Sequence, residues 1–317
     1  MTSRRSDHFD GKRFFNPSLA NGRSISAAPK MLAEPRSPWP TSIPVQQRTP
    51  QRHVESAWAT ITFIGHSTFL IQTATASILT DPVFSERASP LSFIGPRRVR
   101  RAAVSIDDLP AVDIVLLSHN HYDHCDLSSL KKIRRRFDPL LITPLHNGRL
   151  ARTAGFRRVE ELDWWERATT ARVPITVAPA QHFSARTPFD RNHALWGSFI
   201  VEVGDRRLFF AGDSGYASHF AEIRERFGAI DLALLPIGAY EPRWFMKDIH
   251  MNPDEAVQAH LDLAAVRSVG MHFGTFRLTT EAIDEPTRAL DRAKRDRGLD
   301  HDAFATLDFG ESMQLPR

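Results

Sequence analysis

The sequence predicts a layered α/β domain, and three observations carry that reading. Apolar, β-rich runs alternate with segments of helical period through most of the 317 residues. These segments fall into two blocks with no repeat of roughly 20–50 residues, which sets a solenoid aside. Histidines and aspartates gather directly behind the apolar runs, where α/β folds tend to place their chemistry. The length suits one large domain or two small ones, and 42% hydrophobic with 25% charged residues is an ordinary globular balance.

Residues 1–56 stand apart. Pro29, Pro35, Pro38, Pro40, Pro44 and Pro50 punctuate a Ser- and Arg-rich stretch without a sustained apolar period, read as an extended N-terminal arm. The body is expected to span 57–317. Ala59 to Gln72 and Ala76 to Thr80 read as a strand pair. Val112 to Leu117 is an apolar run that suits a buried strand. Leu127 to Phe137 has helical spacing with a basic outer face, and Leu140 to Thr143 is a short strand. Ile175 to Ala178 is a further strand. Gly197 to Val203 and Arg207 to Ala211 form a hairpin across Gly204-Asp205.

Ser218 to Phe227 reads as a helix stopped by Gly228, and Ile230 to Pro236 returns as a strand. Asn252-Pro253-Asp254-Glu255 starts a helix that should run to about Ala265, with Asn at the cap and Glu three residues on. A strand then leads to His272. A helix over Glu285 to Arg297 and a last strand over Ala305 to Phe309 complete the chain.

The chemistry is concentrated behind the run at 112–117, in His119-Asn120-His121-Tyr122-Asp123-His124. Three imidazoles and a carboxylate at a strand end suit two adjacent metal ions better than they suit packing. By composition alone the pattern should arise on the order of once in a thousand such chains. Imidazole with carboxylate fits zinc, iron or manganese, and the single cysteine, Cys125, leaves no thiolate set for a structural zinc site. Cys125 is expected as a small buried residue. Further ligands are sought at later strand ends: His182 after Ile175 to Ala178, Asp213 after Leu208 to Gly212, and His272 after Ser268 to Met271.

Composition narrows the setting. A net charge of +4 with 41 basic residues, only six of them lysine, is a weak case for nucleic acid, and the basic run over 127–136 reads as a solvated face. One cysteine permits no internal disulfide. Ser3-Arg4-Arg5 is not followed by the apolar segment of an export signal, and no run approaches the ~20 apolar residues of a membrane span. A cytoplasmic location is therefore expected, with peripheral membrane contact open. Leu91 to Arg101 joins an apolar patch to four arginines that could meet anionic lipid or phosphate. Trp164-Trp165 and Arg243 to Lys247 could line an acyl groove or belong to the core.

The motif with its later His, Asp and His resembles the metallo-β-lactamase superfamily. The stretches Thr80 to Pro90, Ile237 to Lys247 and Met271 to Phe276 are similar to the N-acyl-phosphatidylethanolamine-hydrolysing phospholipase D family, over roughly Ile61 to Phe309. That resemblance implies a four-layer αβ/βα sandwich and two zinc ions, with manganese and iron open. It implies His119, His121 and His182 on one metal, Asp123, His124 and His272 on the other, and Asp213 bridging. The implied chemistry is attack of a bridging hydroxide on phosphorus, with Asp123 and Asp213 orienting it and shuttling its proton.

Asp81 resembles the superfamily's acidic partner for a ligand imidazole. His250, His66 and Tyr240, the last within the block from Ile237, are expected on the substrate side. The expected substrate is a phospholipid or small phosphoester. The alternative is a lactonase or phosphodiesterase for a small soluble molecule on the same fold. Oligomeric state is left open.

Overall fold

In a computed structural model that describes residues 6–19, 28–52 and 57–316, two mixed β-sheets lie face to face with helices outside each. The first sheet takes β1 (Ala57–Gly65), β2 (Thr68–Thr73), β3 (Ser77–Thr80), β4 (Ile114–Leu116), β5 (Leu140–Pro144), β6 (Val159–Leu162) and β13 (Ser312–Pro316). Its order is β13-β1-β2-β3-β4-β5-β6, antiparallel through β3 and parallel from β3 onward. The second takes β7 (Ile175–Ala178), β8 (Ser198–Val203), β9 (Arg206–Phe210), β10 (Leu232–Pro236), β11 (Arg267–Met271) and β12 (Phe304–Ala305), in the order β12-β11-β10-β9-β8-β7. It too is parallel on one side and antiparallel on the other.

The period of two along each strand decides which layer a residue joins. Ile61, Phe63, Phe69, Ile78 and Leu116 face inward and meet Phe199 and Phe210 of the second sheet, while Phe209 turns outward to Phe220. Ile64, Leu70, Leu79, Val115 and Leu141 face outward and bury Leu130 and Ile133 of α2 (Leu127–Phe137). On the far side, α4 (His219–Phe227), α6 (Pro253–Asp262) and α7 (Glu285–Asp296) contribute Phe220, Val257 and Leu290 to the main core. The order of layers is thus helix, sheet, sheet, helix.

Helix ends follow the local chemistry. Asp126 caps α2 by accepting from the Ser128 amide at 3.0 Å, and Asp138 ends it with φ 48°. Asn252 and Glu255 form the expected capping box of α6. That helix stops at Asp262, short of Ala265, because Ala264 turns to φ 45°.

Other boundaries correct the sequence reading. The expected strand Ala305 to Phe309 keeps only Phe304–Ala305 on β11. Asp308 and Glu311 then bond each other's backbone in a turn, and the chain crosses to pair β13 with β1. β13 was not expected, since an edge strand with mostly exposed side chains has no apolar alternation. For the same reason β6, a Val-Glu-Glu-Leu edge strand, left no signal. The short α3 (Gly148–Thr153) and α5 (Arg243–Met246) fall below the length at which a helical period shows.

Described parts of 1–56 are laid on the body. Phe14 is buried against Ala180, Leu195 and Trp196, α1 is Ala28–Leu32, and Ile43 bridges to Arg100. Ser3-Arg4-Arg5 lies outside the described residues. No described helix is long and apolar enough to cross a membrane.

Candidate metal centre

Five strand ends and two loops converge on one point. β3 delivers Asp81, β4 the loop His119 to His124, β7 His182, β9 Asp213 and β11 His272, while the β1–β2 turn brings His66 and the approach to α6 brings His250. His66, Asp81 and His272 take positive φ of 59°, 30° and 61°, sharp turns that let a strand end aim its next side chain across the sheet. Two glycines allow the close crossing. A Cβ on Gly212, at φ 58°, would meet the Ser118 side chain at 2.7 Å, and one on Gly238 would meet the His272 carbonyl oxygen at 2.1 Å.

The potential ligand atoms form two groups. His119, His121, His182 and Asp213 are within 4.8 Å of one another, as are His66, Asp123, His124 and His272. Asp213 Oδ2 stands between them, 3.1 Å from His124 Nε2, 3.2 Å from His272 Nε2, 3.7 Å from His182 Nε2 and 3.9 Å from His119 Nε2. His250 Nε2 is 3.7 Å from the same oxygen. His66 joins the second group directly, with Nε2 3.1 Å from Asp123 Oδ2.

Hydrogen bonds behind the imidazoles set which nitrogen faces inward. His182 Nδ1 donates to the Ile249 carbonyl at 2.8 Å, and His124 Nδ1 donates to Asp81 at 2.7 Å. Ser118 Oγ donates to Asp81 at 2.6 Å, which leaves its oxygen to accept from His119 Nδ1 at 2.9 Å. Each ring thereby turns an Nε2 lone pair toward the centre. There, His121 Nδ1 lies 2.8 Å from His119 Nε2 and 3.2 Å from His182 Nε2.

Charge agrees with cation binding. Burial, then the His182 charge, lowers His121 to about 3, and burial lowers His182 to about 4 against the pull of Asp213, so neither holds a proton that would compete with a metal at neutral pH. Burial also resists charge on His272, yet Asp213 and Asp123 overrule it and raise His272 to about 9. The two carboxylates thus demand positive charge at this spot. His124 Nε2, His272 Nε2 and Asp213 Oδ1 are buried without a hydrogen-bond partner. Orphaned lone pairs converging with carboxylates fit divalent cations held by His and Asp.

Asp81 is fully buried and accepts from the Ser118 amide at 2.7 Å as well as from Ser118 Oγ and His124. Cys125 is buried as expected, its thiol pushed up to about 12 by burial. Tyr240 is buried and in none of the His/Asp groups, its hydroxyl raised by burial and by Glu281, Glu285 and Glu241. Trp164 and Trp165 pack on the core's edge beneath His8 and Arg226. Trp244 is 37% exposed, with Lys30 over its ring and Glu34 on its indole nitrogen.

Sequence reasoning missed the supports. Ser118 carried no signal beyond its place before His119. Asn16, from the arm, donates to the His182 carbonyl at 2.8 Å. Arg186 Nη1 donates to the carbonyls of Asn120 and Cys125 at 2.7 and 2.9 Å while its guanidinium lies 3.9 Å over Tyr122. It clamps the His119 to His124 loop from 66 residues away, which no local pattern reveals. Arg186→Met should keep the packing and lose the clamp. Metal affinity, read by competition with a chromophoric chelator, is expected to fall roughly tenfold; unchanged affinity would refute the clamp.

The profile of the Beta-lactamase superfamily domain matches residues 76–273. An N-acyl-phosphatidylethanolamine-hydrolyzing phospholipase D of Caenorhabditis elegans is 38% identical over 286 residues, 86% of this chain and 80% of that protein. The mitochondrial enzyme of the same name from Saccharomyces cerevisiae is 40% identical over 221 residues, 68% of this chain and 47% of its own length. Among solved structures, a possible metal-dependent hydrolase of Veillonella parvula superposes with a TM-score of 0.67 at 17% identity, over 82% of this chain and all of its own. That likeness speaks for the fold.

Proposed function

We propose, for a chain that belongs to the β-lactamase superfamily and within it to the N-acyl-phosphatidylethanolamine-hydrolysing phospholipase D family, a metal-dependent phosphodiesterase that releases N-acylethanolamine from N-acyl-phosphatidylethanolamine. The chain is a hydrolase of the metallo-β-lactamase fold. One observation carries the finer reading: a single carboxylate oxygen, Asp213 Oδ2, lies within 4 Å of imidazoles from both ligand groups.

His119, His121 and His182 would hold one divalent ion, Asp123, His124 and His272 the other, with Asp213 shared and zinc the first choice of metal. Ions bound there would supply Lewis acidity toward a phosphoryl oxygen and a water of lowered pKa. Asp213 Oδ1 and Asp123 are the acceptors for that water's hydrogens, and His66 holds Asp123 in place at 3.1 Å. His250, whose Nδ1 has no partner, is the donor for a phosphoryl oxygen. Arg243 secures that loop, donating to the His250 carbonyl at 2.9 Å and to Glu255 at 2.7 Å. Tyr240, kept protonated, belongs to the substrate wall.

Residues 1–56 serve as an arm that buttresses the His182 loop through Asn16. Phe93, Ile94 and Leu91, 74%, 57% and 46% exposed, favour peripheral contact with a lipid surface.

The test is release of N-acylethanolamine from mixed micelles by metal-loaded protein. Turnover is expected, is lost with a chelator and returns with added divalent ion, and the protein should sediment with anionic liposomes. A protein that holds metal yet cleaves only soluble diesters or lactones and ignores liposomes would sink the lipid reading.

A further inference from the structure

A cleft of about 930 Å³ opens between the C-terminal half of α2, the segment from Phe84 to Asp107, and Val45 and Gln47 of the arm. No member of the His/Asp groups lines it. Its wall holds five cations, Arg98, Arg101, Lys132, Arg135 and Arg136, against two carboxylates. Both carboxylates are engaged: Glu86 is 3.6 Å from Arg97, and Asp107 is 3.4 Å from Arg136. Arg101, Lys132 and Arg135 have no carboxylate within ion-pair distance among the described residues.

Cations in the last turn of α2 have an ordinary account in the helix dipole. Arg98 does not. It lies on a separate segment, is only 5% exposed, and spends Nε and Nη2 on the carbonyls of Ser85 and Val83 at 2.8 and 2.7 Å. No carboxylate of the described residues pairs with it directly; Glu86 and Asp126 act on it from beyond ion-pair distance, and its guanidinium lies 5.2 Å from the Phe276 ring centre. Burial lowers it to about 10, still charged at neutral pH. A buried cation whose carboxylates stand off beyond ion-pair distance gains from an anion in direct contact. Arginine forks match phosphate oxygens in particular. Beside the cations, Phe84, Val104 and Ile106 give an apolar wall, and the volume is that of a small-molecule site.

We propose that this cleft binds a phosphate monoester carried on an apolar body. The proposal is independent of the hydrolytic reading. Nucleoside monophosphates and lipid phosphates share this chemistry, so the test uses adenosine 5′-monophosphate, dihexanoyl phosphatidic acid below its micelle concentration, and inorganic phosphate. Binding is followed by calorimetry on the full chain and on Arg101→Ala/Lys132→Ala/Arg135→Ala, whose three sites are exposed.

At least one monoester is expected to bind, more weakly with added salt, and roughly tenfold or more weakly in the variant, with no change in melting temperature. Adenosine monophosphate alone would identify the nucleotide source, and phosphatidic acid alone the lipid source. Phosphatidic acid is also the product of the proposed hydrolysis, so only the component lost in the variant counts for the cleft. Binding unaffected by the substitutions, no binding at all, or inorganic phosphate binding as tightly as the monoesters would overturn the proposal.

Discussion

Asp213→Ala is expected to abolish metal binding and turnover together, lowering the rate roughly a thousandfold or more, about 4 kcal/mol in the barrier. The reason is geometric. Oδ2 approaches the inward-facing Nε2 of four expected ligand imidazoles, two from each group, at 3.1 to 3.9 Å. Its loss removes one of the two carboxylates that raise His272, so two cations would face each other with Asp123 alone to offset them. The side chain contributes no apolar packing, so far-UV circular dichroism should be unchanged. Metal content by mass spectrometry and hydrolysis of the phospholipid are the readouts. A variant that retained two metals and full turnover would remove Asp213 from the shared position.

Asp81→Asn should produce the second-largest effect, with metal affinity reduced about 10–100-fold while the fold is largely kept. Asparagine has the same shape and can still accept from the Ser118 amide with its oxygen. The other oxygen becomes an NH2 group facing two donors, His124 Nδ1 at 2.7 Å and Ser118 Oγ at 2.6 Å. The favourable response is for His124 to change tautomer, accept at Nδ1 and carry its proton on Nε2, the atom aimed at the candidate metal centre. The substitution therefore acts on metal binding through a proton. Asp81→Ala offers a contrast: it leaves buried donors unpaired, which costs about 1–3 kcal/mol each and should lower the melting temperature as well. If Asp81→Asn binds metal as the parent does, the tautomer argument fails.

How far the sequence reached depends on how local each cause is. Leu127–Phe137 is legible to the residue because its apolar stripe and basic face lie within that segment, with Asp126 and Asp138 flanking it as cap and stop. The hexapeptide from His119 was legible because its chemistry is improbable as packing. His182, Asp213 and His272 could be picked out as polar residues just past apolar strands, and the structure brings all three to the hexapeptide. β13 and β6 were not legible, since edge strands with exposed side chains have no alternation to read. Arg186 and Asn16 were not legible either. Each acts by donating to a backbone carbonyl far away in sequence, and any carbonyl serves as acceptor, so the partner leaves no mark in its own residue type.

The sequence by itself determined the residue types of the candidate metal centre, the strands that carry them and the family, because ligand chemistry and periodicity are properties of short segments. Only the tertiary structure decided which Asp213 oxygen stands between the two histidine groups, which nitrogen of His119, His124 and His182 faces inward, and that His66 bonds Asp123. Those depend on where strand ends meet, and that meeting is set by the packing of two sheets across the whole core. The Arg98 cleft belongs to the same category. The arginines of Leu91 to Arg101 read as a group that could meet anionic lipid or phosphate, and only folding buries Arg98 beside a cavity without a carboxylate in direct contact.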